Sequence, residues 1–573
     1  MTGFRLALAL SALVSLMHDF VVAEDKAVVH YTMWPVMRHG ALSAVVVEIR
    51  FRGEADGETK LLLPKEWGGE TDLWRALRDI QIKGDGVRVA LTSDPAVRII
   101  EHPPNADITV SYRVIQDRPG EPSATNHNPY RPVIQPGYFH LIGDAIFAMP
   151  DWDDSTPSSF EISGLPKGWR FASDLESGPL TLKAVAESIS VGGDFRVVIR
   201  QMHGASLRVA IRGHWKFSDD SFTDQLVRIV VSHTAFWRDP EESYLVTVLP
   251  ESNPGHGMSL GGTGRGGGFA FFASENAEQS DINRVLAHEH IHTWIPKRIG
   301  RMPEKDEARD YWLSEGFTEF YTARLLVRDK IWTIEDFAAM ENEMLAGYAS
   351  SAVRTAPNSL VVTDFWKNNA VGKLPYQRGF LLAAIWDQEL RAKSRGLRNF
   401  DDVMLAMKAR YMAVRDAKSV PLAVDNFMAE MRAAGVDPAD DVAHFVDEGA
   451  AILLPADLFA VCGIVSTVEV PEFTRGFDAD KTSAAGGVVT GIDVDGPAYA
   501  AGMRDGMKII KREAGKLDDS RVEIVYRISD KGAERIIHYK PEGKKRVTLQ
   551  EFALAPGLDQ AGREACAMRL GGA

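Results

Sequence analysis

Histidines 288 and 292, in the run His288-Glu289-His290-Ile291-His292, constrain this chain more than any other feature. On a helix, residues four apart leave the same face, so both imidazoles can close on one metal ion. Glu289 stands beside the first histidine, where its carboxylate can reach an activated water and act as general base. His290 is two positions from each candidate ligand and so points away. Spacing alone carries little weight in a chain with 15 histidines, so a third ligand is required.

Trp312-Leu313-Ser314-Glu315-Gly316-Phe317-Thr318-Glu319-Phe320-Tyr321 supplies one. The segment predicts a second helix with a buried apolar face. Glu315 follows His292 by 23 positions, room for one helix to end near Pro296 and Gly300 and another to begin. A His, His, Glu set leaves the fourth tetrahedral position of zinc open, as in a catalytic rather than a structural site. Glu319, one turn beyond Glu315, is placed to hydrogen-bond the back of a ligating histidine.

The run HEHIHTWIPKRIG together with WLSEGFTEFY resembles the gluzincin peptidases and, within them, the M61 glycyl aminopeptidases, which are similar to the larger M1 aminopeptidases. The resemblance implies a multidomain α+β chain: an N-terminal β-sandwich, a thermolysin-like, mainly α catalytic domain and a C-terminal PDZ-like domain. It implies Zn2+ as cofactor and peptides as substrates. Pro375-Tyr376-Gln377-Arg378-Gly379 resembles the family's Tyr-x-Lys-Gly segment, which makes Tyr376 the oxyanion donor and puts Arg378 in the lysine's place.

At 573 residues the chain is too long for one core. With 45% hydrophobic and 25% charged residues it is of ordinary globular composition. A net charge of −14 and the lack of any basic block argue against nucleic-acid binding. Residues 1–23 read as a signal peptide: one early arginine, an apolar stretch Leu6 to Met17, then Val21-Val22-Ala23. That predicts a secreted or periplasmic protein, and no later segment reads as a membrane span. Cys462 and Cys566 are consistent with one disulfide or with two buried thiols. The oligomeric state is not legible.

Four segments follow: 1–23 signal peptide, 24–215 N-terminal β domain, 216–458 zinc peptidase domain, 459–573 PDZ-like domain and tail. Strand-like runs at Ala44 to Arg52, Ile108 to Val114 and Phe195 to Arg200 mark the second, with an edge loop around His127-Asn128-Pro129. The third opens with a helix through Phe222, Leu226, Ile229 and Val230, then a strand from Tyr244 to Leu249. A glycine-rich stretch, Gly261 to Gly268, precedes the histidine helix. By resemblance it is an edge strand that pairs with substrate, with Gly261, Gly262, Gly267 and Gly268 allowing close backbone approach. Relatives carry an acid there that holds the substrate's α-amine; this chain has none until Glu275, the candidate substitute. Thr333 is the expected cap of a helix over Glu335 to Tyr348. In the last segment, Gly496-Pro497-Ala498 and Ala501-Gly502-Met503-Arg504-Asp505-Gly506-Met507 resemble a PDZ domain, and Arg475-Gly476-Phe477-Asp478 loosely matches its carboxylate loop.

The reading is a secreted zinc aminopeptidase acting on N-terminal glycine or other small residues. Zinc sits on His288, His292 and Glu315, Glu289 is the base, Tyr376 the oxyanion donor and Glu319 the histidine's partner. An endopeptidase of the same mechanism, a hydrolase of non-peptide substrates and a non-catalytic PDZ-type peptide-binding protein are the alternatives.

Overall fold

Strict alternation of apolar and polar residues builds the N-terminal layers. In Asp107–Val114 the side chains of Ile108, Val110, Tyr112 and Val114 are buried, while Thr109, Ser111 and Arg113 between them are half-buried on the other face. The computed structural model describes residues 29–123, 130–252, 258–414 and 419–572. The signal-peptide reading of 1–23 and the His127-Asn128-Pro129 loop lie outside the described residues.

Val29–Arg38 and Ala41–Arg52 form the centre of a six-stranded sheet flanked by Asp107–Val114 and Pro157–Ile162. Its pairing with Pro157–Ile162 is parallel, so the sheet is mixed and not purely antiparallel. Two four-stranded sheets share a core with it, drawing in Leu61, Ile100, Phe139 and Leu141. The arrangement is the expected β-rich stack.

The sheet that positions the site runs β1 (Arg196–Gln201), β2 (Ser206–Ile211), β3 (Tyr244–Pro250), β4 (Leu260–Gly264) and β5 (Gly268–Ala273), in spatial order β1-β2-β3-β5-β4. The strands β2, β3 and β5 are mutually parallel, and β4 is an antiparallel edge. One face packs on the strand Tyr138–Ile142 and its neighbours through Leu245, Leu249, Ala270 and Phe272. The other face packs through Val246, Val248, Phe269 and Phe271 on helices α1 (Asp219–Trp237) and α2 (Gln279–Ile291). Covered on both faces, these strands read as continuous apolar runs. This sheet also moves a boundary. Because β2 pairs with β3, strands 196–211 belong with the catalytic layer, and a division at 215 would cut through one sheet.

The helical layer holds α3 (Tyr311–Arg328), α4 (Ile334–Ser350) and α5 (Asn369–Ser394). Thr333 caps α4 in a reciprocal box with Asp336. Helix α5 begins six residues before Pro375. The Asn368 side chain accepts from the Ala370 and Val371 N–H groups, and Pro375 lies inside the helix, where it leaves one backbone bond unmade.

After residue 462 the chain doubles back. Gly463–Phe473 pairs antiparallel with Glu542–Leu554, and this ribbon packs on α4 through Val470 and Leu549 against Ala346 and Ala349. The Asn342 amide bonds both the N–H and the C=O of Phe552, each at 2.8 Å. A disulfide joins Cys462 to Cys566, fastening the last helix, Gln560–Leu570, where the ribbon starts. Between the ribbon's arms, the sheet Lys508–Ala514, Ile524–Asp530, Ala533–Tyr539 closes a small core with Val489, Ala498, Met503 and Met507. No helix among the described residues is long and apolar enough to cross a membrane.

Candidate metal centre

Helix α2 ends at Ile291, and His292 takes its C-cap with its N–H bonded back to the Glu289 carbonyl. His288 lies one turn earlier, its ring 4.9 Å from that of His292 and nearly perpendicular to it. His292 Nδ1 donates to the Ile295 carbonyl at 2.8 Å, and His288 Nδ1 donates to Glu319 Oε2 at 2.8 Å. A carbonyl can only accept, so these contacts put the ring hydrogens on Nδ1 and leave both Nε2 lone pairs facing the cleft.

Glu315 meets them there. Its Oε2 is 3.3 Å from His288 Nε2 and 3.4 Å from His292 Nε2. Ligand bonds of about 2.0–2.1 Å at tetrahedral angles would set such atoms roughly 3.3 Å apart, so the donor set fits a small divalent ion. All three donor atoms lie within 4.8 Å of one another, the one such group among the described residues. The electrostatics agree. Burial pulls His288 down, but Glu315 and Glu319 outweigh it and hold its pKa up at about 10. Burial pushes Glu315 up, yet His292 and His288 carry it well below the usual carboxylate range. Two imidazoles and a carboxylate converging on one point demand positive charge at that point.

Glu319 sits on α3 one turn past Glu315 and is held from behind by the Arg284 guanidinium, which also reaches Glu343. Glu289 is half-buried, and burial raises its pKa against the opposing pull of His292 and His288. Tyr376 lies on α5 with its ring 5.9 Å from that of His288. Burial and the carboxylates of Glu315 and Glu289 push its phenol well above the ordinary value, so it stays protonated. His290 is turned away, packed among His233, Tyr244 and Trp294.

Two glycines bring the helices this close. A Cβ on Gly379 would lie 1.8 Å from the Trp312 carbonyl oxygen, and one on Gly316 would lie 2.3 Å from the Gly379 Cα. Gly316 follows Glu315 and Gly379 lies one turn beyond Tyr376, so this crossing of α3 and α5 presents the phenol to the carboxylate. The contact carries no local sequence signal.

The glycine stretch is only partly at the site. The edge strand β4 carries Gly261 and Gly262. Gly262 is needed for packing, since its Cβ would strike the Phe269 ring, whereas Gly261 faces open space towards Tyr130. A Cβ on Gly264 would lie 3.4 Å from Glu289 Oε2, which makes Gly264 the glycine nearest the base. Gly267 and Gly268 are not brought to the metal: Gly267 faces Asp174, and Gly268 is buried against the Leu245 carbonyl. Glu275 is not brought there either. It accepts the His214 N–H at 3.0 Å in a separate cleft that contains none of the ligands. Arg378 turns into the core, where it caps the carbonyls of Arg354, Ala356 and Val446.

The sequence profile of the M61 glycyl aminopeptidases matches residues 281–363, which include His288, Glu289, His292, Glu315 and Glu319. Among solved structures, an aminopeptidase N family protein from Idiomarina loihiensis aligns with a TM-score of 0.68 at 15% identity, over 94% of this chain and 100% of that one. An M1 zinc metallopeptidase from Deinococcus radiodurans aligns with a TM-score of 0.47 at 17% identity, over 74% of this chain and 94% of that one. No protein of curated function matches the sequence. The first structural match shows a shared fold. The ligand-bearing segment resembles that of the M61 glycyl aminopeptidases, and over nearly its whole length the chain shares the fold of an aminopeptidase N family protein.

Proposed function

We propose that the protein is a zinc-dependent aminopeptidase that removes N-terminal glycine or another small residue from peptides. The observation that carries this reading is the convergence of two lone-pair-bearing imidazoles and a carboxylate, with Glu289 and Tyr376 beside them. Zinc held by His288, His292 and Glu315 supplies Lewis acidity to the scissile carbonyl and the attacking water. Glu289 takes the water's proton and returns it to the leaving amine. Tyr376, kept protonated, donates a hydrogen bond to the oxygen on which negative charge develops. Glu319 holds His288 in the required tautomer. The edge strand β4 lies beside Glu289 and offers main-chain groups to an extended substrate.

An endopeptidase of the same mechanism is the second reading. It is favoured by the position of Glu275, which leaves the edge strand without the amine-binding acid that relatives carry. We further infer export, supported by the composition of residues 1–23 and by the Cys462–Cys566 disulfide, a bond typical of oxidising compartments. The PDZ-like reading of the last segment belongs to this proposal as well, supported by the Gly-Pro-Ala and Ala-Gly-Met segments around its small core.

Hydrolysis of an alanyl or glycyl anilide tests the zinc assignment. Activity lost on chelation should return with stoichiometric zinc and fail to return in His292→Ala. Activity that survives metal removal would overturn the proposal.

A further inference from the structure

One tryptophan of the helical layer stands apart from its neighbours. Trp294, Trp312 and Trp386 are buried, whereas Trp366 is 78% exposed. It sits in the turn between the short helix Asn358–Asp364 and α5. That turn is firmly bonded. The Phe365 N–H donates to the Val361 carbonyl at 3.0 Å, and the Lys367 and Asn368 N–H groups donate to the Asp364 carbonyl at 2.9 and 3.0 Å. Asn368 then caps α5. Bonded backbone on both sides thus holds the indole in solvent at a fixed position, where it is available to a partner.

Trp366 lines a cavity of about 730 Å³ that also includes the ligand Glu315 and the phenol-bearing Tyr376. Two more rings continue its surface. Trp366 meets Phe365 edge-on at 4.8 Å, Phe365 meets Tyr311 edge-on at 4.7 Å, and all three line the cavity. Tyr311 opens α3 one turn before Glu315, so the row of rings ends on the helix that carries the ligand. Phe365 and Trp366 lie just past residues 281–363, the segment matched by the M61 profile. Charges of both signs also border the space: Glu307, Lys373 and Asp480, with Lys367 held by Asp364 at 3.7 Å. They select no one sign of substrate charge, and the continuous feature of the wall is aromatic. A cavity of this size is that of a ligand site, and a glycine or alanine leaves most of it empty. A further ring can complete the row, face to edge.

We infer that this cavity receives a large apolar side chain, aromatic by preference, from a residue flanking the scissile bond, and that Trp366 is the specificity determinant that packs on it. Substrates with phenylalanine or leucine beside the cut are favoured over those with only small residues there. Trp366 acts by contact with the substrate, whose side chain covers the indole that the fold leaves in solvent. The inference rests on the peptidase reading, and its test separates the two.

The experiment uses two series of peptide amides, Gly-X-Gly and X-Gly-Gly, with X as alanine, leucine or phenylalanine. They are offered to zinc-loaded wild-type protein, Trp366→Ala and Trp366→Phe. In one series kcat/KM should rise by about tenfold to a hundredfold from alanine to phenylalanine. That ratio should fall to within about threefold in Trp366→Ala, while Trp366→Phe keeps most of it. The series that responds tells which side of the cut the cavity serves. A response in X-Gly-Gly supports the inference and replaces glycine as the preferred first residue. No preference in either series, or one that Trp366→Ala retains, would overturn the inference while leaving the peptidase reading intact. Hydrolysis of none of the peptides would overturn the peptidase reading. In that case, calorimetric binding of the same peptides to Glu289→Gln, with and without Trp366→Ala, decides the subsite. Tighter binding of a phenylalanine peptide that depends on Trp366 supports it, and equal binding, or none, overturns it.

Discussion

Replacing Gly379 with alanine tests how the catalytic geometry is built. The new Cβ would lie 1.8 Å from the Trp312 carbonyl oxygen, and side-chain carbons essentially never approach below 3.0 Å, so helices α3 and α5 must part by at least 1.2 Å there. The obstructing atom is main chain inside a helix, not the end of a flexible side chain. Overpacking of this kind costs about 1–3 kcal/mol, and an unyielding backbone puts this site at the upper end. In a catalytic layer of ordinary domain size, about 3 kcal/mol corresponds to a fall in Tm of roughly 6–12 °C. Activity should fall further than stability. Glu315 and Tyr376 flank the crossing on its two helices, and about 1 Å of misplacement costs on the order of a hundredfold in rate. Scanning calorimetry of the zinc-loaded protein, with peptide turnover measured well below Tm, reads both. A Tm within about 2 °C of wild type, together with kcat within a factor of about two, would refute the argument. Gly316→Ala should behave alike, and the double variant should be less than additive because both glycines serve one contact.

Other perturbations test the remaining parts. Glu319→Ala removes the partner of His288 Nδ1, so zinc affinity should drop about 10- to 100-fold in a chelator competition; unchanged affinity would mean the contact does nothing. Tyr376→Phe should lower kcat by roughly a hundredfold or more, with little change in KM or zinc affinity, and a weakened zinc site would contradict the oxyanion role. Burial raises the Glu289 pKa above its ordinary 4.5, and only the carboxylate form accepts a proton. The acid limb of kcat/KM should therefore lie above that value, with rate lost as pH falls through it, and a limb at or below 4.5 would exclude Glu289 as the base. Reducing the Cys462–Cys566 bond opens a closed loop of 104 residues. For a loop of that size the chain-entropy loss is about 4–5 kcal/mol, so denaturant midpoints should fall clearly under reductant.

The ligand set was legible because its geometry is local. Residues four apart on one helix share a face whatever the rest of the chain does, which placed His288 with His292 and Glu315 with Glu319. The Thr333 cap was readable for the same reason. What sequence reasoning missed depends on partners far away in the chain. Nothing near Gly316 or Gly379 says that they touch. The pairing of β2 with β3 crosses helix α1, so a boundary at 215 looked natural although one sheet spans it. Within the glycine stretch, composition marks close approach but not register. Gly264 faces the base, while Gly267 and Gly268 lie elsewhere. Glu275 was chosen as the nearest acid in sequence, and the chain turns it into another cleft.

The central claim is peptide hydrolysis from the amino end through Glu289. One peptide offered free and N-acetylated, to the zinc-loaded protein and to its Glu289→Gln variant, tests it most directly when mass spectrometry locates each cut. The account predicts stepwise loss of N-terminal residues from the free peptide, an intact acetylated peptide, and a rate in Glu289→Gln lower by about 10²- to 10⁴-fold at unchanged zinc content. Internal cuts in both forms would make the enzyme an endopeptidase. Cleavage undiminished in Glu289→Gln would contradict the mechanism itself.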